Sequence, residues 1–146
     1  FARTHQTAIN FRRNTEDYLT ELAGLRDKMR AELAPYKGMT IITLHEAFPY
    51  FAREFGLSIA GVVEREPGSV PSAKEIAETI DLVRRTGVKV IFAEPQYPSA
   101  VAETIARETG AKVYTLDPAV TGPDDPGAYL QIMNQNLKIL TRALAA

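Results

Sequence analysis

The side chains of this 146-residue chain whose placement suggests chemistry are those that follow its short apolar runs. His45 and Glu46 follow "TIITL" (40–44), and Glu64 and Glu66 follow "LSIAGVV" (57–63). Glu94 follows "VKVIFA" (88–93), and Asp117 follows "AKVYTL" (111–116). An imidazole nitrogen beside carboxylate oxygens suits a divalent transition metal, zinc above all. Calcium or magnesium would want oxygens alone. There is no cysteine, so thiolate ligands and disulfides are excluded. One rim histidine with one or two carboxylates falls short of a tight zinc site, so water or another lobe would have to supply the rest.

A plainer reading stands beside this one. Carboxylates after strands commonly cap the next helix or offset its dipole, and Glu46 and Glu64 suit that role. Asp117, before Pro118, suits an ordinary turn. By spacing alone, a single histidine at a strand end is as readily structural as functional. His5, the only other histidine, falls on the polar side of a helix. On residues alone the chain is a ligand-binding α/β lobe.

Those positions need a frame. Residues 3–34 read as one long helix, because Phe11, Tyr18, Leu22, Leu25 and Met29 form a single apolar stripe. Gly24 is a weak point in it. Such a helix is about 45 Å long, and its first turns overhang a small α/β domain, as though another lobe belonged there. After Pro35, the four β-branched runs alternate with helical segments at 47–55, 72–87 and 98–110, and a final helix runs from about 126. Near-continuous apolar runs fit parallel strands covered on both faces. Ser72 and Glu75 form a capping box, Gly87 and Gly110 end their helices, and Pro98 suits a first helical position. Phe48, Tyr50, Phe51 and Phe55 read as mostly core. The loops at 64–71 and 121–127 are turn-rich and expected on the surface. The alternation gives a doubly wound, four-stranded parallel sheet flanked by helices and preceded by the long helix. Ligands of such sheets bind beyond the carboxyl ends of the strands, where the acids and His45 fall.

Composition narrows the function. The net charge is −1, hydrophobic residues make up 45% and charged residues 24%, the balance of a folded soluble protein. There is no basic stripe, which argues against nucleic acid. No apolar stretch approaches a bilayer span. The chain opens at Phe1 with no signal-like run and reads as a processed or truncated piece, so location is left open.

The residues resemble one family, the zinc- and manganese-binding solute receptors of bacterial ABC importers. "TLHEAFPYFAREFGL" looks like the family's segment around its third metal histidine. The stretch from "VPSAKEIAETIDLV" through Glu-Pro-Gln (94–96) to Leu-Asp-Pro (116–118) is similar to the family's next segments. "YLQIMNQNLKIL" resembles its closing helix, and the likeness runs from about residue 10 to 144. It implies that residues 1–35 are the connecting helix between two lobes and 36–146 the carboxyl-terminal lobe. It also implies that His45 and Asp117 are metal ligands, completed by two histidines of an amino-terminal lobe absent from this chain, with Glu94 orienting a ligand or loop from behind. The implied cargo is zinc, with manganese possible, since a histidine at the third position looks like the zinc branch. The implied role is non-enzymatic: extracytoplasmic, membrane-associated capture and delivery to a permease. The chain lacks the His-rich acidic loop of some zinc receptors.

Two other classes compete. In a metal-dependent hydrolase, His45, Glu94 and Asp117 would hold a water-activating zinc, but no histidine at i+4, nucleophile elbow or general base is legible. A nucleotide-binding domain would need glycine-rich turns after the strands, and these are missing.

Overall fold

A computed structural model describes residues 2–64 and 71–145, with side chains from residue 10 onward. The long helix, α1, spans Ala2–Leu33 and closes in a 3-10 turn at Ala34–Tyr36. Only its second half docks: Leu25, Met29 and Leu33 are buried, whereas Phe11 is 68% exposed and Leu19 58%. The stripe is thus continuous in sequence but half of it is uncovered. No described helix is long and apolar enough to cross a membrane.

Then come β1 (Thr40–Thr43), α2 (Pro49–Phe55), β2 (Ser58–Val62), α3 (Ala73–Thr86), β3 (Val90–Ala93), α4 (Ala100–Thr109), β4 (Lys112–Thr115) and α5 (Ala128–Leu144). All strand pairs are parallel, in the order β2-β1-β3-β4. The doubly wound expectation holds. Alternate strand residues face opposite ways, as the two-residue strand period requires. Ile41, Val90, Phe92 and Leu116 pack on α1, α2 and α5. Ile42, Leu44, Ile91 and Ala93 pack toward α3 and α4.

Local chemistry sets the helix ends. Ser72 caps α3, its side chain accepting from Glu75 N–H while the Glu75 carboxylate accepts from Ser72 N–H. Gly87 and Gly110 end α3 and α4 at φ +66° and +76°, where a Cβ would be strained. Pro98 does not open α4: Ser99 is the N-cap and Ala100 the first helical residue. Of the aromatic cluster, Phe48 and Phe55 are core, but Tyr50 is 79% exposed, with Arg53 5.1 Å over its ring. The 121–126 loop is exposed as expected. The 64–71 loop lies largely outside the described residues, as do Glu66 and the side chain of His5.

Gly24 is exposed in mid-α1, and a Cβ there would meet nothing within 4 Å. Gly24→Ala is expected to stabilise this chain by about 0.5–1 kcal/mol, raising its thermal midpoint by about 2–4 °C. A calorimetric scan that finds no rise would show that the helix frays at this point before the domain unfolds.

Candidate metal centre

The chain lays down β1, adds β2 on one side, then crosses to place β3 on the other. The reversal leaves a crevice at the carboxyl ends of β1 and β3, the place where open α/β sheets bind ligands. Register decides what lies there. Thr43 pairs with Val62 on one side and Phe92 on the other. Two residues on, the same ladders bring Glu64, His45 and Glu94 into one row across three strands.

That row depends on an irregularity. Ile41 pairs with Ile59, but Ile42 pairs with Gly61, so Ala60 is an extra residue in β2. Such a bulge shifts every later residue by one position. Without it Val63 would stand level with His45. With it Glu64 does, and Glu64 N–H donates to the Leu44 carbonyl at 2.7 Å.

Both imidazole nitrogens face carboxylates. Nδ1–H of His45 donates to Glu94 Oε2, and Nε2 lies 3.0 Å from Glu64 Oε2. The ring is packed at a tilt against Tyr97, with centroids 4.3 Å apart. His45 and Glu94 are almost wholly buried, at 3% and 2% exposure. A carboxylate behind Nδ1 fixes the tautomer and leaves Nε2 as the coordinating nitrogen, the arrangement found behind metal-bound histidines.

Electrostatics and unpaired atoms both favour a cation here. Two carboxylates face one imidazole, and among the described residues no lysine or arginine pairs with either. Three buried side-chain oxygens lack a partner among the described residues: Thr43 Oγ1, Glu94 Oε1 and Gln96 Oε1. All three belong to β1 or to the turn after β3, at this same crevice. Unpaired buried polar atoms are uncommon and call for an ion, water or strain to account for them.

Asp117 sits differently. Glu94 is level with Leu116, because Ala93 pairs with Thr115. Asp117 therefore lies one residue past the row, on a strand two spacings from β1, about 9.5 Å across the sheet. It lines a groove between α1, α2 and α5 that also holds Phe48 and Met133. No described hydrogen bond joins it to His45. Its backbone is gripped by the Asn136 side chain: Asp117 N–H donates to Asn136 Oδ1 at 3.0 Å, and Asn136 Nδ2 donates to the Asp117 carbonyl at 2.7 Å. Ala119 N–H donates to Asp117 Oδ1 at 2.8 Å and closes a turn in which Ala119 takes φ +59°. Glu46, by contrast, is exposed. Among the described residues, no three His, Asp or Glu side chains are arranged to hold a metal by themselves.

Sequence reasoning named His45, Glu64, Glu94 and Asp117 but paired His45 with Asp117, where the contacts it makes are with Glu64 and Glu94. It missed Tyr97 and Asn136. The signal for Asn136 was available: it interrupts the stripe Met133, Leu137, Leu140, Leu144 with an amide and is 2% exposed.

Known proteins match the chain along most of its length. A family model described as zinc-uptake complex component A, periplasmic (ZnuA), matches residues 3–143. The high-affinity zinc uptake system protein ZnuA of Brucella abortus is 31% identical over 127 residues, covering 86% of this chain and 38% of that protein. The zinc-binding protein AdcA of Streptococcus pyogenes is 35% identical over 142 residues, covering 92% of this chain and 27% of that protein. The chain thus spans well under half the length of these relatives. The solute-binding protein FpvC of Pseudomonas aeruginosa, solved in complex with Mn2+, is 38% identical with a TM-score of 0.80, over 91% of this chain and 50% of that one.

Proposed function

The chain belongs to the periplasmic zinc-uptake complex component A family, and from that premise we propose that it is the carboxyl-terminal part of a receptor that captures zinc, or manganese, outside the cytoplasmic membrane. The receptor hands the ion to the permease of an ABC importer and catalyses no reaction. Residues 1–35 act as the connecting helix and 36–146 as the lobe. The uncovered Phe11 and Leu19 on α1 are surface for the amino-terminal lobe to cover. His45 and Asp117 bind the ion from this side, two histidines of the other lobe complete the set, and Glu94 orients the imidazole.

The observation that carries the reading is His45 itself, backed by the buried Glu94 on Nδ1 and turned by Nε2 to a second carboxylate at the switch point of the sheet. The hydrolase alternative gains nothing from this geometry. Glu94 stands behind the imidazole, where it cannot share a water-activating ion with Nε2.

Zinc titration of the full-length parent and of residues 1–146, against a chelating dye, tests the proposal. The parent is expected to take one equivalent tightly, and the isolated chain to bind orders of magnitude more weakly, having two of four ligands. Equal affinities would place the whole site in this lobe. Chelator-sensitive turnover of an ester by the parent would move the protein to the hydrolases.

A further inference from the structure

We propose that Glu64 is itself a metal ligand, so that this lobe presents a His–Glu pair from adjacent strands to the ion. The inference rests on the receptor reading, in which His45 binds the cargo, and adds a residue to it.

The geometry limits what else Glu64 can do. Its side chain is 11% exposed and that of His45 4%. An ion approaching Nε2 therefore meets the Glu64 carboxylate first. Either the carboxylate leaves or it shares the ion. Zinc bonds to nitrogen and carboxylate oxygen of about 2.0–2.2 Å, in a set of four or five ligands, put neighbouring donor atoms about 3.0–3.4 Å apart. They already stand 3.0 Å apart, so admitting an ion asks for at most a few tenths of an ångström. Departure would instead take away the carboxylate that His45 Nε2 faces.

The ring orientation points the same way. With Nδ1 on Glu94, which follows β3, Nε2 lies against Glu64, which follows β2. The carboxylate next to the coordinating nitrogen is the one after β2. The unpaired, buried Glu94 Oε1 adds negative potential behind the same ring. An extra carboxylate on the ion also bears on metal choice, because hard oxygen donors favour manganese more than imidazole does.

The test compares wild-type, Glu64→Gln and His45→Ala forms of the full-length parent. Zn2+ and Mn2+ affinities are read by dye competition, and the bound zinc by X-ray absorption. Glutamine keeps the shape and a hydrogen-bonding oxygen but not the charge, so a merely positioning Glu64 would lose affinity while the atoms bonded to the metal stay the same. A ligand would change both. Glu64→Gln is expected to weaken zinc binding about tenfold and manganese binding about a hundredfold, and to alter the scattering from the atoms nearest the metal. Unchanged scattering in Glu64→Gln, whether or not affinity falls, with binding lost in His45→Ala, would overturn the proposal and leave the receptor reading intact. Tighter binding in Glu64→Gln would make Glu64 a competitor of the ion, and also overturns it. Wild-type affinity in His45→Ala would remove both.

Discussion

Full-length parent protein carrying His45→Ala is expected to bind zinc about a hundredfold or more weakly than wild type. Groups that merely orient metal-bound imidazoles are worth about 10–100-fold in affinity, and the ligand should be worth at least as much. The substitution also has a cost to the fold. It leaves the Glu94 carboxylate buried with neither oxygen paired, a loss on the order of 3 kcal/mol for a broken buried pair. Binding and stability therefore need separate readouts: dye competition for zinc, and thermal unfolding of the metal-free protein. Glu94→Gln separates the two effects. It keeps an oxygen near Nδ1 and should retain most of the metal-free stability while lowering zinc affinity about tenfold or more. Wild-type zinc affinity in His45→Ala would remove this crevice as the binding site.

The second large effect is expected at a residue that is no ligand. Asn136→Leu keeps the side chain's approximate volume but withdraws both hydrogen bonds to the Asp117 backbone. Each backbone group left unpaired in a partly buried place costs about 1–3 kcal/mol, so a loss of about 2–6 kcal/mol for the two is expected in urea unfolding of this chain. The loop that carries Asp117 would lose its anchor on α5. What remains is the turn's own closure, Ala119 N–H donating to Asp117 Oδ1 with Ala119 strained at φ +59°. In the parent, zinc affinity should fall as well. Unaltered unfolding in Asn136→Leu would mean that water replaces the amide without penalty.

Much of the fold was legible in the chain. The central strands β1 and β3 were readable because both faces of the sheet are covered there, and the less buried edge strands β2 and β4 from their β-branched and aromatic residues. The helix ends were readable where capping is written in side chains, as at Ser72 and Glu75. Pro98 misled because proline suits both the first helical position and the residue before an N-cap. Tyr50 misled because periodicity places a residue on a face without saying whether anything covers it, and the same holds for Phe11 on α1.

The site was legible in part. One-dimensional order shows that His45, Glu64, Glu94 and Asp117 each follow a strand, and that is enough to place a polar rim on an apolar floor. It cannot show which of them touch. Contact across a sheet depends on strand order and register, and these are set by how distant segments pack. The inserted Ala60 brings Glu64, not Val63, abreast of His45; the crossover from β2 to β3 puts Glu94 on its other side; the pairing of β3 with β4 leaves Leu116 in the row and Asp117 beyond it. Residue type and strand ends are local properties, so the chain alone reveals the donor chemistry and the edge of the fold where it gathers. Neighbour relations across parallel strands are not local, so it took the folded sheet to set the imidazole between two carboxylates with its outer nitrogen turned to Glu64.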